Sequence, residues 1–203
     1  MEIVLNPDFA AHDGQGEFHQ GKFVPCFESP SRVRNILVAL QEHGIEECVS
    51  PDDFGIDPIL RVHDAGYVDF LRTIHEEWIA AGNQGDVIPY LWPVPGLRRM
   101  EHANLNAKVG SYSFSSDTPI MAGTWSAAYL GAQTALTALQ RADAGAFALT
   151  RPPGHHAHAG FYGGYCYLNN VAITAQAALD AGRDRVCVLD VDFHHGNGTQ
   201  DIF

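Results

Sequence analysis

The 203-residue sequence is poor in positive charge: 12 Lys and Arg stand against 24 Asp and Glu, a net charge of −12. Such a surface repels phosphate backbones, which argues against a nucleic-acid partner, and attracts cations. Two meanings stay open, ordinary solubility or attraction of a positively charged substrate. Long apolar runs are also missing. No stretch reaches the roughly 18 consecutive apolar residues that span a bilayer, so no membrane partner is expected. The start Met1–Asp8 has neither a basic segment nor a long apolar core and does not read as a signal peptide. Cysteine is scarce: Cys26, Cys48, Cys166 and Cys187 lie far apart and form no C-x-x-C pair. They read as reduced, mostly buried thiols of a cytoplasmic protein, with a disulfide pair as the alternative.

What is present is a chain that is 46% hydrophobic and 18% charged, as expected for one globular domain or part of a larger one. Glu2–Leu5 reads as a short buried strand, and the Gly- and His-rich run from His12 to Gly21 as a loop. Ser29-Pro30 and Asp57-Pro58 are helix-start signals. Val33, Ile36, Leu37 and Leu40 recur at helical spacing up to Gly44. Further helices are expected from about Gly66 to Ala81, Thr124 to Ala142 and Asn170 to Ala181. Strands are expected at Ala146–Leu149 and Val186–Asp190, the latter apolar enough for a buried parallel strand. Gln84 to Met100 holds three prolines, two glycines, Tyr90, Leu91 and Trp92. It reads as a long irregular loop with an exposed apolar tip, of the kind that serves function or an interface. Strands alternating with helices predict an α/β fold, a parallel sheet flanked by helices, with sites at the carboxyl ends of its strands.

Three segments carry chemistry. Arg151-Pro152-Pro153-Gly154-His155-His156-Ala157 follows a predicted strand. Its stiff turn would fix two imidazoles suited to acid–base work near neutral pH, although a His pair in a loop can also be a surface feature. Val188 to Thr199 runs from an apolar strand into an acid- and histidine-rich turn. Alternate strand residues share a face, so Asp190, Asp192 and His194 should point one way. An aspartate and a histidine two apart can grip a divalent metal. A charged strand end exposed to solvent is the alternative, but the preceding Val-Cys-Val-Leu run reads as buried, and ionisable groups at a buried strand end are costly unless paired or metal-bound. In Phe161 to Asn170 the double glycine permits close backbone approach to a ligand, with Tyr165 available to line a channel. A hairpin-like turn with aromatic core residues is the alternative.

The strings RPPGHHA, GGYCYLNN and VLDVDFHHGNGTQDIF, in this order, resemble the histone deacetylase superfamily. GKFVPCFESPSRVRNIL, RVHDAGYVDFL and AGTW extend the resemblance towards the N-terminus and are most similar to the acetylpolyamine amidohydrolase branch. The resemblance implies an arginase/deacetylase-like parallel sheet flanked by helices, with residues 1–203 forming the N-terminal part of a single deacetylase domain. It implies metal-dependent hydrolysis of N-acetyl amides, with acetylpolyamines or similar small cationic acetyl amides as substrates. Acetyl-lysine protein deacetylation and an inactive metal-binding chain are the alternatives. Asp192 and His194 become metal ligands. His156 becomes the general base, assisted by Asn197, and His155 an electrostatic partner assisted by Asp190. Zinc is the implied metal and Fe(II) its competitor, since one His with carboxylates is an oxygen-rich donor set. A structural potassium ion is implied at backbone oxygens around Asp190, Asp192 and His194, and a second at Phe203.

The same resemblance makes Gly164 and Tyr165 a wall of the substrate tunnel and sets Glu17 and Asp117 near its mouth. It makes the segment 84–100 a dimerisation loop, so a homodimer is expected. Asn106 departs from the pattern, standing where a partner-supplied acid is expected. An aspartate as third metal ligand and a catalytic tyrosine are implied beyond Phe203. The sheet is therefore expected to be incomplete at the C-terminus, and the 203-residue chain to have little amidase activity. Asn197 in place of an acid keeps a hydrogen bond but drops a charge, so His156 should be less basic than with aspartate there. The remaining histidines, His158 among them, read as structural or surface residues.

Overall fold

A computed structural model describes residues 1–45, 47–94 and 104–203. Three parallel strands form its sheet: β1 (Glu2–Leu5), β4 (Cys48–Val49) and β5 (Ala146–Leu149), in the order β4-β1-β5. Glu2 pairs with Ala146 and Leu5 with Leu149, while Ile3 pairs with Cys48. A hairpin of β2 (Glu17–His19) and β3 (Lys22–Val24) stands apart from it. The helices are α1 (Ser31–Glu42), α2 (Asp57–Leu60), α3 (Ala65–Ala80), α4 (Leu105–Ser111), α5 (Thr124–Gln140), α6 (Asn170–Asp180) and α7 (Asn197–Ile202).

The sheet is covered on both faces, as a parallel sheet must be. Ile3 and Leu149 pack with Val33, Ile36, Leu37 and Leu40 of α1. The period of those four positions is the apolar stripe seen in the sequence. On the other side α5 packs against β1, β5 and α6. The main core gathers Tyr67, Phe70, Leu71 and Ile74 of α3 with Leu136 of α5, Ile173 of α6 and the rings of Tyr162 and Tyr167. Among the described residues no helix is long and apolar enough to cross a membrane.

Several expectations need correction. Val186–Asp190 is not a strand. It pairs with no strand among the described residues, and Val186, Val188 and Leu189 are 40%, 39% and 85% exposed. A strand exists only with a neighbour to bond. On this side the described sheet ends at β5, and a cavity of about 680 Å³, bordered by Ala146, Ala148, Val186 and Val188, separates the two. The His12–Gly21 run is not all loop: it contains β2, with Gln20 and Gly21 at positive φ turning the chain into β3. Ser29 does not cap α1, because its hydroxyl lies 2.6 Å from that of Ser31 instead. Of the four cysteines, all free, only Cys166 is buried; Cys187 is exposed on the unpaired run. In the segment 84–100, Tyr90, Leu91 and Trp92 are exposed as expected, and residues 95–100 lie outside the described ones.

Candidate active site

The site forms where the parallel strands end. Asn6, next after β1, sends its amide Nδ2 to the carbonyls of Ala127 and Arg151, each at 2.8 Å. This ties the loop after β5 to the loop after β1. Arg151 is 1% exposed, and its guanidinium reaches the Glu28 carboxylate at 3.0 Å and the carbonyl of Phe9 at 2.5 Å. The same loop is braced from the far side by His63, buried under the turn at residues 158–159. The Asn169 amide N–H donates to His63 Nε2 at 2.9 Å, so His63 Nδ1 carries the proton and donates to His158 O at 3.0 Å. Burial pulls His63 from 6.5 to about 4, which keeps it neutral.

On this base stand the two imidazoles, with ring centroids 4.1 Å apart. His155 Nδ1 lies 2.8 Å from Asp190 Oδ2, and His156 Nδ1 lies 2.6 Å from Asn197 Oδ1. The His155 bond is the first cause holding Asp190 below the usual carboxylate range, joined by the N–H of Asp192. Burial pulls His156 below its ordinary value; the bond to Asn197 opposes this, and the neighbouring His155 and His194 reinforce it. An amide oxygen only accepts, so His156 carries its proton on Nδ1 and keeps the Nε2 lone pair free. That is the form a proton acceptor needs.

Asp192 and His194 lie on one side, although the run that carries them is unpaired. His194 Nδ1 is 3.3 Å from Asp192 Oδ1, and His155 Nε2 is 3.9 Å from the same oxygen. The centroids of His156 and His194 are 6.0 Å apart. Two donors about 3.4 Å apart are what adjacent ligands make on a tetrahedral ion with bonds near 2.1 Å. The pair therefore fits a divalent cation. Backbone bonding from His194 N is the main cause keeping Asp192 below the usual carboxylate range. Among the described residues no group of three or more His, Cys, Asp or Glu is arranged to hold a metal. Asp192 and His194 are half exposed or more, so the expectation that they end a buried strand is wrong even though they converge with the histidine pair.

The aromatic segment packs beside the histidine pair, with Gly164 against the His156 ring. Gly163 and Cys166 exchange backbone hydrogen bonds of 3.1 and 3.0 Å around Gly164 and Tyr165, whose φ are +55° and +65°. Two left-handed residues in succession define the tight hairpin turn named as the alternative reading. Gly164 is required twice over: a Cβ there would sit 2.5 Å from His156 Cδ2. Tyr165, which tolerates this region poorly, is pinned at both ends. Its N–H donates to Thr118 Oγ1 at 2.9 Å and its hydroxyl to Glu17 Oε1 at 2.8 Å. Burial, then the Glu17 carboxylate, pushes the Tyr165 phenol well up. Asp117 lies beside this turn, accepting from Ser115 at 2.5 Å and Thr118 at 2.8 Å. Glu17, Asp117, Tyr165 and Gly164 are therefore one neighbourhood. Phe203, at the end of α7, is 61% exposed and lies apart from it, bordering a second cavity with Val186 and Val188.

Sequence reasoning missed the partners behind the histidine pair. Asn197 Nδ2 lies 3.1 Å from His158 Nε2, and His158 Nδ1 lies 2.9 Å from Asp201 Oδ2. The available signal was helical spacing, since Asn197 and Asp201 are four residues apart in α7.

A family model described as "Histone deacetylase domain" matches residues 26–203, and the chain belongs to that family. It is 50% identical to acetylpolyamine amidohydrolase 1 of Pseudomonas aeruginosa and 41% identical to the acetylpolyamine amidohydrolase of Mycoplana ramosa. In each case all of this chain aligns with 60% of the relative. The chain thus spans about three-fifths of the length of these curated relatives. Its fold is similar, with a TM-score of 0.88 and 38% identity, to a crystal structure of acetylpolyamine aminohydrolase from Burkholderia pseudomallei. That match covers all of this chain and 60% of the other.

Proposed function

We propose that this chain carries the acid–base half of a metal-dependent hydrolase of N-acetyl amides, acting on acetylpolyamines or similar small cationic acetyl amides. The observation that supports it most is the convergence of His155, His156, Asp192 and His194 within a few ångströms, each imidazole of the tandem pair with its own side-chain partner. Asp192 and His194 would hold the metal, zinc or, with this oxygen-rich set, Fe(II). Such a cation polarises the amide carbonyl and lowers the pKa of a water. His156 takes a proton at Nε2 and returns it to the leaving amine, while Asn197 keeps its Nδ1 proton in place. Asp190 fixes His155 in the Nδ1–H form beside it. Potassium at backbone oxygens near Asp190, Asp192, His194 and Phe203 belongs to the same reading.

Charge near the turn supports a cationic substrate. Glu17, Asp86 and Asp13 together push the Cys26 thiol up, after burial as the main cause, and Asp117 adds to them at Tyr165. A net charge of −12 supports the same choice. The exposed Tyr90, Leu91 and Trp92 suit a homodimer built through segment 84–100. Four free thiols suit the cytoplasm.

The test is the rate on N-acetylputrescine against an acetyl-lysine peptide. The enzyme is this chain joined to the segment that follows the matched region in the Pseudomonas aeruginosa relative. Preference for the small cation is expected, and a strong peptide preference would overturn the substrate reading in favour of a protein deacetylase. One observation favours a second reading for the 203 residues by themselves: only two metal donors meet among those described. The chain alone should then bind metal without appreciable turnover.

A further inference from the structure

Behind His156 the side chains continue in one connected line. His156 Nδ1 meets Asn197 Oδ1 at 2.6 Å, Asn197 Nδ2 meets His158 Nε2 at 3.1 Å, and His158 Nδ1 meets Asp201 Oδ2 at 2.9 Å. Each polarity follows from the one before it. The Asp201 carboxylate accepts, so His158 carries its proton on Nδ1 and offers a lone pair at Nε2. That lone pair takes a proton only from the NH₂ end of Asn197. The oxygen end is left facing His156, which must then protonate Nδ1 and leave Nε2 open. Turning the Asn197 amide over would set its NH₂ against His156 Nδ1, demand the proton on Nε2, and remove the proton acceptor from the site.

An aspartate at 197 would not face this choice, because both its oxygens accept. An asparagine does, and nothing in its own shape distinguishes oxygen from nitrogen. The surroundings hold the selector firmly. The His158 ring packs edge-on against Phe114 and Phe161, and its backbone N–H donates to Phe161 O at 3.0 Å. Asp201 shares a face of α7 with Asn197, so one helix carries the two residues that flank His158 in the relay.

We propose that His158 and Asp201 are positioning residues that set the Asn197 amide the right way round and so keep the Nε2 of His156 free to accept a proton. This rests on the reading of His156 as the proton acceptor.

The test reads the tautomer directly. In the ¹⁵N-histidine-labelled chain at about pH 8, above the ordinary imidazole value of about 6.5, long-range ¹H–¹⁵N correlations should show His156 and His158 each protonated at Nδ1 and not at Nε2. His156→Phe assigns the His156 signals. His158→Phe, and independently Asp201→Ala at an exposed position, should bring up a second His156 tautomer protonated at Nε2. In an Asn197→Asp background neither substitution should change the His156 tautomer. Two results would overturn the proposal: an unchanged tautomer in both single variants, or an equal change in the Asn197→Asp background, which would mean general damage. The reading of His156 stands or falls separately. Undiminished hydrolysis by the His156→Gln form of the joined enzyme would sink that reading while leaving the tautomer response intact.

Discussion

Replacing Gly198 by alanine should detach α7 from the loop that carries the histidine pair. A Cβ at 198 would lie 2.4 Å from Ala157 O and 2.6 Å from both Ala157 C and His156 C. All three are backbone atoms, so no rotamer change relieves the clash. To reach an ordinary contact the helix must retreat by roughly 1 Å, an overpacking that costs about 1–3 kcal/mol. The same retreat stretches Asn197 Oδ1 to His156 Nδ1, now 2.6 Å, and Thr199 N to His155 O, now 3.1 Å. The longer bond passes out of hydrogen-bond range, which adds about 1 kcal/mol. A loss of about 2–4 kcal/mol is expected in urea unfolding. Gly44→Ala is the control. Its φ is +74° with nothing within 4 Å, so only backbone strain of about 1–2 kcal/mol applies. If Gly198→Ala proves no worse than Gly44→Ala, α7 is not seated on the His156–Ala157 backbone in the way described.

Three more outcomes follow from the same contacts. His63 is neutral in the fold, with burial holding it at about 4 rather than 6.5, so the unfolded chain binds its proton first as pH falls. The stability it contributes is present above about pH 6.5 and is lost on descent towards pH 4, by about 3 kcal/mol; His63→Gln should lessen the fall of the urea midpoint between those pH values, leaving the share of buried His12, also depressed, to about 3, and an unchanged slope would refute this. Arg151→Met leaves the nearly buried Glu28 carboxylate with only the longer contact to Arg32, at 3.4 Å, and should cost about 3 kcal/mol by the same assay. Glu17→Gln should raise KM for N-acetylputrescine more than it lowers kcat in the joined enzyme, because the charge is lost near the turn while the acceptor for Tyr165 remains; a change confined to kcat would contradict that role.

Helices and motifs were legible in the sequence because they are local. The stripe Val33–Leu40, the Asp57-Pro58 start and the core positions of α3 need only their own periodicity. Val186–Asp190 was misread because composition reports burial in a finished sheet, whereas strand formation requires a partner, and the described residues supply none. The hairpin at Glu17–Val24 was hidden by its histidines and glycines, whose loop character is real at Gln20-Gly21 but not on either side. The pairing of His155 with Asp190 and of His156 with Asn197 was reachable only through the family resemblance. The link onward to His158 and Asp201 is tertiary, and no spacing rule joins residue 158 to residue 201.

The central claim is that Asp192 and His194 offer their donors to one cation beside His155 and His156. Titrating Zn²⁺ into the histidine-labelled chain tests it most directly. The account predicts that the His194 ring signals shift first and saturate, that His155 and His156 respond with them, and that Asp192→Ala abolishes the response. Saturation at His195 or at any histidine outside this group, with His194 unmoved, would contradict it.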